Sequence, residues 1–365
     1  MPHDISIKKS SRSKKKNTNK NLLVVLLVGA LLMGGFFYLY FLISPYYRFF
    51  HEVFGVSPLT LLLEKKPENS QITILLLGKG GEFHEGAELT DSLMSVTLGN
   101  KGIYVVSLAR DIWIADLQDR VNTAYYYGKQ KGEGFSLVKR SVGVVTGRAI
   151  DAVFIIDFER FSKLIDYIGG INVYIDRSFE DFKYPIKGRE NDVCDGKDEF
   201  ACRYEYITFQ KGWEHMDGVR ALKFARSRFS PDKIEGTDFA RARRQQKIFM
   251  SLYEKILQKL KNPNLEELRG MYVLLNAIVE RDMSNRDIAY LAKEVYFTKP
   301  KIEMISLNQD FFTVPPYKEY GGKYVLIPRD GNFDDIHAYI RCRVSGKTDA
   351  SCLPEKIKDI SKPQL

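Results

Sequence analysis

Apolar residues fall first into one unbroken run and then into short runs separated by polar turns. Leu22 to Ile43 carries no charged residue. At about 1.5 Å per residue a helix of this length crosses a hydrocarbon core of roughly 30 Å, so the run predicts a transmembrane helix. From Gln71 onward the pattern changes. ITILLLG (72–78), SLMSVTLG (92–99), GIYVVSLA (102–109), AVFIIDF (152–158) and INVYI (171–175) read as strands, several of them buried on both faces. Late strands near 302–307 and 324–328 would complete the sheet, and Gly99-Asn100-Lys101-Gly102 predicts a hairpin. Helices are expected at 122–129, 136–145, 158–168, 217–225, 238–260, 265–279 and 285–295. The predicted fold class is α/β of the α-β-α type: a mixed central sheet flanked by helices, preceded by one N-terminal transmembrane helix.

Charge then orders the domains. The tail 1–21 holds Lys8, Lys9, Arg12, Lys14, Lys15, Lys16 and Lys20 against Asp4 alone, and no comparable cluster follows the span 22–43. The positive-inside rule puts that tail in the cytoplasm and the rest of the chain outside, as a single-pass protein of the cell membrane. A cleaved signal peptide usually has a shorter apolar region, whereas Tyr38, Tyr40, Tyr46, Tyr47 and Arg48 here form an aromatic interfacial edge. A stalk is expected at 44–70, a globular domain at 71–345 with a polar, loop-rich excursion at 176–212, and a C-terminal tail at 346–365. Of the net charge of +9 the tail supplies seven cations less one Asp, leaving +3 for everything after residue 21. The basic balance is therefore topological and predicts no nucleic-acid partner. Cys194 with Cys202 and Cys342 with Cys352 suit local disulfides in an exported domain, four free thiols being the alternative; neither pair has zinc spacing.

Chemistry concentrates between Ala221 and Gln246, ALKFARSRFSPDKIEGTDFARARRQQ, where five arginines and three carboxylates surround one helix start. Asp238, Arg241 and Gln245 share a helix face, with Arg244 beside them, and Thr237 or Asp238 caps the helix. Cations in the opening turns oppose the helix dipole, at roughly 0.3 to 1 kcal/mol each. That arrangement makes sense if an anion is bound there, gripped by guanidinium groups and free backbone N–H groups. Arg226 and Arg228 precede Phe229-Ser230-Pro231, where the previous helix must end. The alternative is a solvated basic face paired with Asp232, Glu235 and Asp238. Arg110 and Asp111 follow a strand end, and Asp91 opens the neighbouring strand after a loop bearing Glu82, His84 and Glu85. Asp91 with Glu82 or Glu85 offers the oxygen ligands that Mg²⁺ takes; a turn role for Asp91 and a pairing of Asp111 with Arg110 are the structural alternatives. Gly78-Lys79-Gly80-Gly81 lacks the following GK[ST] of a nucleotide-binding loop, which argues against a nucleoside triphosphatase.

TDS (90–92), SLARD (107–111), VNTAYYYG (121–128), FIIDFERFSKLIDYIGGINV (154–173), DGVRALKFARSR (217–228) and TDFARARRQQ (237–246) follow in an order that resembles the LytR-CpsA-Psr family of bacterial cell envelopes, from about Ile72 to Leu252. The resemblance implies a phosphotransferase that moves a glycopolymer from a polyprenyl-pyrophosphate carrier to peptidoglycan as a phosphodiester, assisted by Mg²⁺ or Mn²⁺. By matching positions, Arg110, Arg226, Arg228, Arg241, Arg244 and Gln245 would surround the pyrophosphate with Asp238 holding the arginines or taking part directly, Asp91 would serve the metal site, and Asp91 or Asp111 would be a possible base. The carrier's tail would need an apolar groove, with helix residues 271–279 as candidates. Two positions depart from the family pattern: Gly80 stands where an acidic residue is common, and Leu89 where an arginine is, so Glu82, His84 or Glu85 would have to replace the missing ligand. The same site with water as acceptor would be a hydrolase of the lipid-linked glycan, and without turnover an envelope binding or regulatory protein.

Overall fold

The computed structural model describes residues 15–64, 71–80, 88–99, 101–189, 191–196 and 198–360. The chain divides into two units, Met1–Thr60 and Leu61–Leu365. In the first, helix α1 (Lys15–Phe54) has 40 residues and runs past both ends of the expected span, and Pro45 lies within it. Its segment Leu26–Phe54 is long and apolar enough to cross a membrane. The expected stalk therefore begins as continued helix, followed by α2 (Pro58–Leu63).

The second unit is built on a six-stranded mixed sheet. β1 (Ile72–Lys79) pairs antiparallel with β2 (Thr90–Leu98), which pairs antiparallel with β3 (Ile103–Leu108). The turn between β2 and β3 is the expected hairpin, closed by the Gly99 N–H to the Gly102 carbonyl at 2.9 Å. After two short strands, β4 (Trp113–Ile114) and β5 (Asp119–Arg120), and the helices α3 (Ala124–Gln130) and α4 (Ser136–Thr146), β6 (Ala152–Asp157) joins β1 in parallel. Side chains of β1 alternate between the two faces. Leu75 and Leu77 pack with α3, α4 and a later helix, whereas Leu76 points into a cavity lined by α5 (Phe158–Tyr167) and the helices that follow it. The sheet is thus the middle layer of three.

INVYI forms β7 (Ile171–Ile175) but does not enter this sheet. Its burial alternates, with Ile171, Val173 and Ile175 inside and Asn172 and Tyr174 outside, the period of a half-buried strand. The segment read as a loop-rich excursion is structured: β8 (Phe179–Pro185) and β9 (Tyr204–Phe209) form an antiparallel hairpin, and β10 (Gly212–Met216) pairs with β7. Phe179, Tyr184, Ile207 and Phe209 are buried in a second core with α5 and α6 (Gly218–Arg226). Gly218 is required there, because an added Cβ would lie 2.0 Å from the Ser162 carbonyl oxygen of α5.

Helix α7 (Asp238–Lys261) begins where expected, with the Thr237 hydroxyl accepting from the Ala240 N–H at 3.1 Å. It is followed by α8 (Leu265–Ile278), β11 (Val279–Arg281), α9 (Asn285–Thr298) and β12 (Ile302–Ser306). β11 and β12 close the two edges of the sheet, antiparallel to β6 and parallel to β3. The strand expected at 324–328 does not join it: Ile327–Pro328 (β14) pairs with β13 (Phe312–Thr313), Leu326 makes a single parallel bridge to Ile112, and Pro328 has no N–H to extend a ladder. Both cysteine pairs are disulfides. Cys342–Cys352 ties α10 (Asp334–Val344) to α11 (Asp349–Cys352), and Cys352 and Ile357 of α12 (Glu355–Ile360) lie in the first core. Within the stretch expected as a C-terminal tail, α11 and the start of α12 are thus anchored to the domain through Cys352 and Ile357.

Candidate functional site

Parallel strands β1, β6, β3 and β12 end on the same side of the sheet, the side where open α/β sheets bind ligands. Here a cavity of about 240 Å³ is lined by Gly80, Leu89, Asp91 and Arg110 from the strand ends, by Arg226 and Arg228 from the end of α6, and by Arg241 and Gln245 from the start of α7. Phe158, Asp181, Tyr184, Pro185 and Phe229 complete the wall. Four arginines face two carboxylates, Asp91 and Asp181, which leaves two positive charges on the lining.

Each cation is held differently. Arg110 donates to Asp91 at 2.6 Å and to Asp111 at 3.4 Å. Burial pulls its pKa down, but the charges of Asp91 and Asp111 and the bond to Asp91 outweigh that and leave it above the ordinary value. Arg241 is 7% exposed and pairs with Asp238 at 3.0 Å. Burial first, then the neighbouring charges of Arg110 and Arg228, hold its pKa below the usual range, opposed by Asp238 and Asp91. Crowded, desolvated cations of this kind are stabilised by an anion. Arg226 lies over the Phe158 ring at 5.5 Å and hydrogen bonds with Tyr184. Arg228 lies over Phe229 at 4.9 Å.

The loop carrying Arg228 is fixed by Asp181, which is fully buried. Its carboxylate accepts from the Ser227 hydroxyl at 2.7 Å and from the N–H groups of Arg228 and Phe229 at 3.0 and 3.1 Å. Asp181 and Tyr184 were missed in the sequence because β8 was read as loop. The alternation of Phe179, Asp181 and their neighbours is broken by an irregularity between Asp181 and Tyr184.

Arg244 does not line this cavity. Its guanidinium donates to the carbonyls of Phe224 and Ser227 and to Glu235, and it stacks over Phe179 at 4.7 Å. Burial pulls its pKa down to about 10, against the pull of Glu235. The expectation that it binds pyrophosphate is corrected: its donors hold the α6–α7 joint together. Asp111, 3% exposed, also lies behind the cavity, receiving Arg110 and Arg120, the latter at 3.1 Å. Asp238 lines a small adjoining cavity of about 50 Å³ together with Asp91, Arg110, Arg241, Arg243 and Gln245. Glu82 and Glu85, with His84, lie outside the described residues. Among the described residues the one cluster with metal-ligand spacing is Asp192, Cys194 and Cys202, and its two sulfurs are joined to each other.

An apolar cavity of about 220 Å³ shares Phe158 and Gln245 with the cationic one. Leu76, Phe154 and Ile156 of the sheet face Phe161, Ile248 and Phe249 of the helices across it. Of the helix residues expected to form a groove, Leu275 and Val279 line it, while Met271 and Leu274 pack against the second core.

Residues 57–338 match the model of the LytR_cpsA_psr family. A polyisoprenyl-teichoic acid–peptidoglycan teichoic acid transferase, TagV of Bacillus subtilis strain 168, is 27% identical over 269 residues, 71% of this chain and 61% of its own length. TagU of Bacillus anthracis, a transferase of the same description, is 26% identical over 228 residues, 61% of this chain and 63% of its own. The chain thus spans about three fifths of the length of these relatives. Among solved structures, the crystal structure of B. subtilis TagV superposes with a TM-score of 0.54 at 22% identity, covering 77% of this chain and all of the other. Protein gbs0355 of Streptococcus agalactiae gives 0.54 at 18% identity, covering 81% and 97%. These likenesses concern the fold.

Proposed function

The chain belongs to the LytR_cpsA_psr family, and on that footing we propose that it is a membrane-anchored phosphotransferase that moves a glycopolymer from a polyprenyl-pyrophosphate carrier to peptidoglycan. The observation that carries this reading is the junction of the two cavities, one lined by four arginines and the other almost wholly apolar, which share Phe158 and Gln245. A pyrophosphate esterified at both ends carries two negative charges, and the four guanidinium groups on the lining are suited to bind its oxygens. The carrier's tail needs the apolar space beside it. The names of TagV and TagU, which describe transfer of teichoic acid to peptidoglycan, support the same substrate class.

An acceptor sugar hydroxyl attacks the polymer-proximal phosphorus, a new P–O bond forms, and the bond to the bridging oxygen breaks, releasing polyprenyl phosphate. Asp91 and Asp238 are the two carboxylates placed to take the hydroxyl proton. Charge on the transferred phosphoryl oxygens is stabilised by Arg110, Arg226, Arg228 and Arg241, which stand in place before substrate arrives. Gly80 and Leu89, the two departures from the family pattern, lie on this lining. A Mg²⁺ or Mn²⁺ ion still fits the donors, since such ions use one or two carboxylates together with substrate phosphates. Asp91 would hold it, and it would neutralise phosphate charge. The basic tail is read as cytoplasmic and the sheet domain as extracytoplasmic, where the two disulfides persist.

Arg228→Ala and Arg241→Ala are each expected to lower transfer by the full-length chain in detergent by about 10²- to 10³-fold while leaving its circular dichroism unchanged. Transfer at the wild-type rate by both variants would contradict the assignment.

A further inference from the structure

A third cavity, of about 280 Å³, lies on the far side of α7 and is not used by the chemistry above. Its walls are Trp213 and Tyr174 from the β7–β10 ribbon, and Arg243, Gln246, Lys247 and Glu254 from α7. We propose that this cavity is a saccharide-binding subsite for the acceptor glycan strand, an inference that rests on the transferase reading.

Trp213 and Tyr174 are directly opposite each other across the ribbon, with ring centroids 5.4 Å apart at 65°. The indole is 72% exposed. So large an apolar ring kept in water is characteristic of binding surfaces. A pyranose has an apolar C–H face and a hydroxyl rim, and the cavity offers both complements. The indole and phenol rings supply a stacking surface. Arg243, Ser251 and Glu254 supply donors and acceptors around it. Gln246 donates to the Ser107 hydroxyl at 2.8 Å and braces this wall against β3, and Lys247 is held by Asp176 at 2.8 Å. Arg243 is exposed in the opening turns of α7 and makes no ion pair among the described residues, so the cost of placing a cation against the helix dipole is unrelieved without a ligand. The volume is at the lower edge of the roughly 300 Å³ expected for small-molecule sites, room for one sugar of a longer strand.

Position selects the acceptor over the donor. In-line displacement brings the attacking oxygen from the side opposite the leaving group. With about 100° between successive residues, Gln245, Ile248, Phe249 and Leu252 of the apolar cavity lie on one face of α7, and Arg243, Lys247, Met250 and Glu254 on the opposite face. Along the sheet, the apolar cavity touches β6, β1 and β2, whereas the third cavity reaches Met304 of the edge strand β12. Arg243 also lines the small cavity that borders the arginine site, and so links the third cavity to the reacting phosphorus.

The chain has two tryptophans, Trp113 and Trp213, so Trp113→Phe in the full-length chain leaves Trp213 as the sole indole reporter. Titration with a β-1,4-linked N-acetylglucosamine tetramer is expected to give a saturable blue shift of its emission, lost in Arg243→Ala. In the transfer assay, Trp213→Ala should raise the acceptor KM about tenfold, equivalent to about 1.4 kcal/mol, with kcat and donor KM unchanged. An unshifted emission together with an unchanged acceptor KM overturns the proposal, as does a change confined to donor KM. Saturable binding of the tetramer by a chain that transfers nothing would refute the transferase reading and leave the saccharide site standing.

Discussion

Arg241 and Arg244 are three residues apart on α7, and both are nearly buried, yet they serve opposite ends. Arg241 sits among like charges at the cavity and has one carboxylate partner, Asp238. Arg244 answers three backbone carbonyls, of Phe224, Ser227 and Glu235, and the Glu235 carboxylate. Arg241→Ala is therefore expected to lower kcat/KM by about 10²- to 10³-fold, the scale of removing one preorganised donor to a developing anion, with a Tm equal to or above that of the wild type. Arg244→Ala should instead destabilise the fold by about 2 to 5 kcal/mol, because it leaves the half-buried Glu235 carboxylate and three backbone carbonyls without this partner; thermal unfolding of the two variants side by side checks this. The sequence placed both arginines on the first turns of one helix. It could not show which of them the end of α6 would claim, since the competing acceptors, Phe224 and Ser227, are backbone groups brought there by tertiary packing.

At the scale of elements, the site depends on the β8–β9 hairpin that Asp181 locks to the loop after α6. Asp181→Ala removes the acceptor of one hydroxyl and three backbone N–H groups at a fully buried position. The expected result is a loss of about 1 to 3 kcal/mol of stability, together with weakened binding of inorganic pyrophosphate as Arg228 loses its anchor; calorimetric titration measures the second effect. Asp119 is a comparable joint elsewhere. It accepts from the Arg120 N–H at 2.8 Å and from Tyr127 at 3.2 Å, and pairs with Lys323 at 2.9 Å. Burial would raise its pKa, but these bonds and the Lys323 charge prevail and hold it below the ordinary value. Its stabilising contribution is thus present above about pH 4 and fades as pH falls through the lowered folded value. Asp119→Asn should cost about 1 to 2 kcal/mol near neutrality, with the gap to wild type narrowing in urea melts below about pH 4. The central strands β1, β2, β3 and β6 were legible because burial on both faces leaves continuous apolar runs. β8 and β11 were not: one alternates through polar residues, and the other is three residues of sheet edge continuous with a helical pattern.

For the whole molecule, the sheet order β11-β6-β1-β2-β3-β12 spreads three different environments along one layer. Apolar space lies over β6, β1 and β2, the arginines gather at the strand ends, and the aromatic cavity lies at the β12 edge. The runs showed a mixed α/β domain, though they also placed 171–175 and 324–328 in the sheet, where they do not lie. The anchoring of α11 and α12 was not readable, because both are too short to carry a periodic pattern and their one signal was the cysteine at 352. The central claim is that one acceptor bond replaces one carrier bond at the polymer-proximal phosphorus. Its most direct measurement is mass spectrometry of both halves of a polyprenyl-pyrophosphate oligosaccharide after incubation with the full-length chain, Mg²⁺ and peptidoglycan fragments. Equal amounts of polyprenyl monophosphate and of a peptidoglycan-linked oligosaccharide phosphodiester are expected. Intact donor, or polyprenyl monophosphate with only free oligosaccharide phosphate while acceptor is present, would contradict the transferase account.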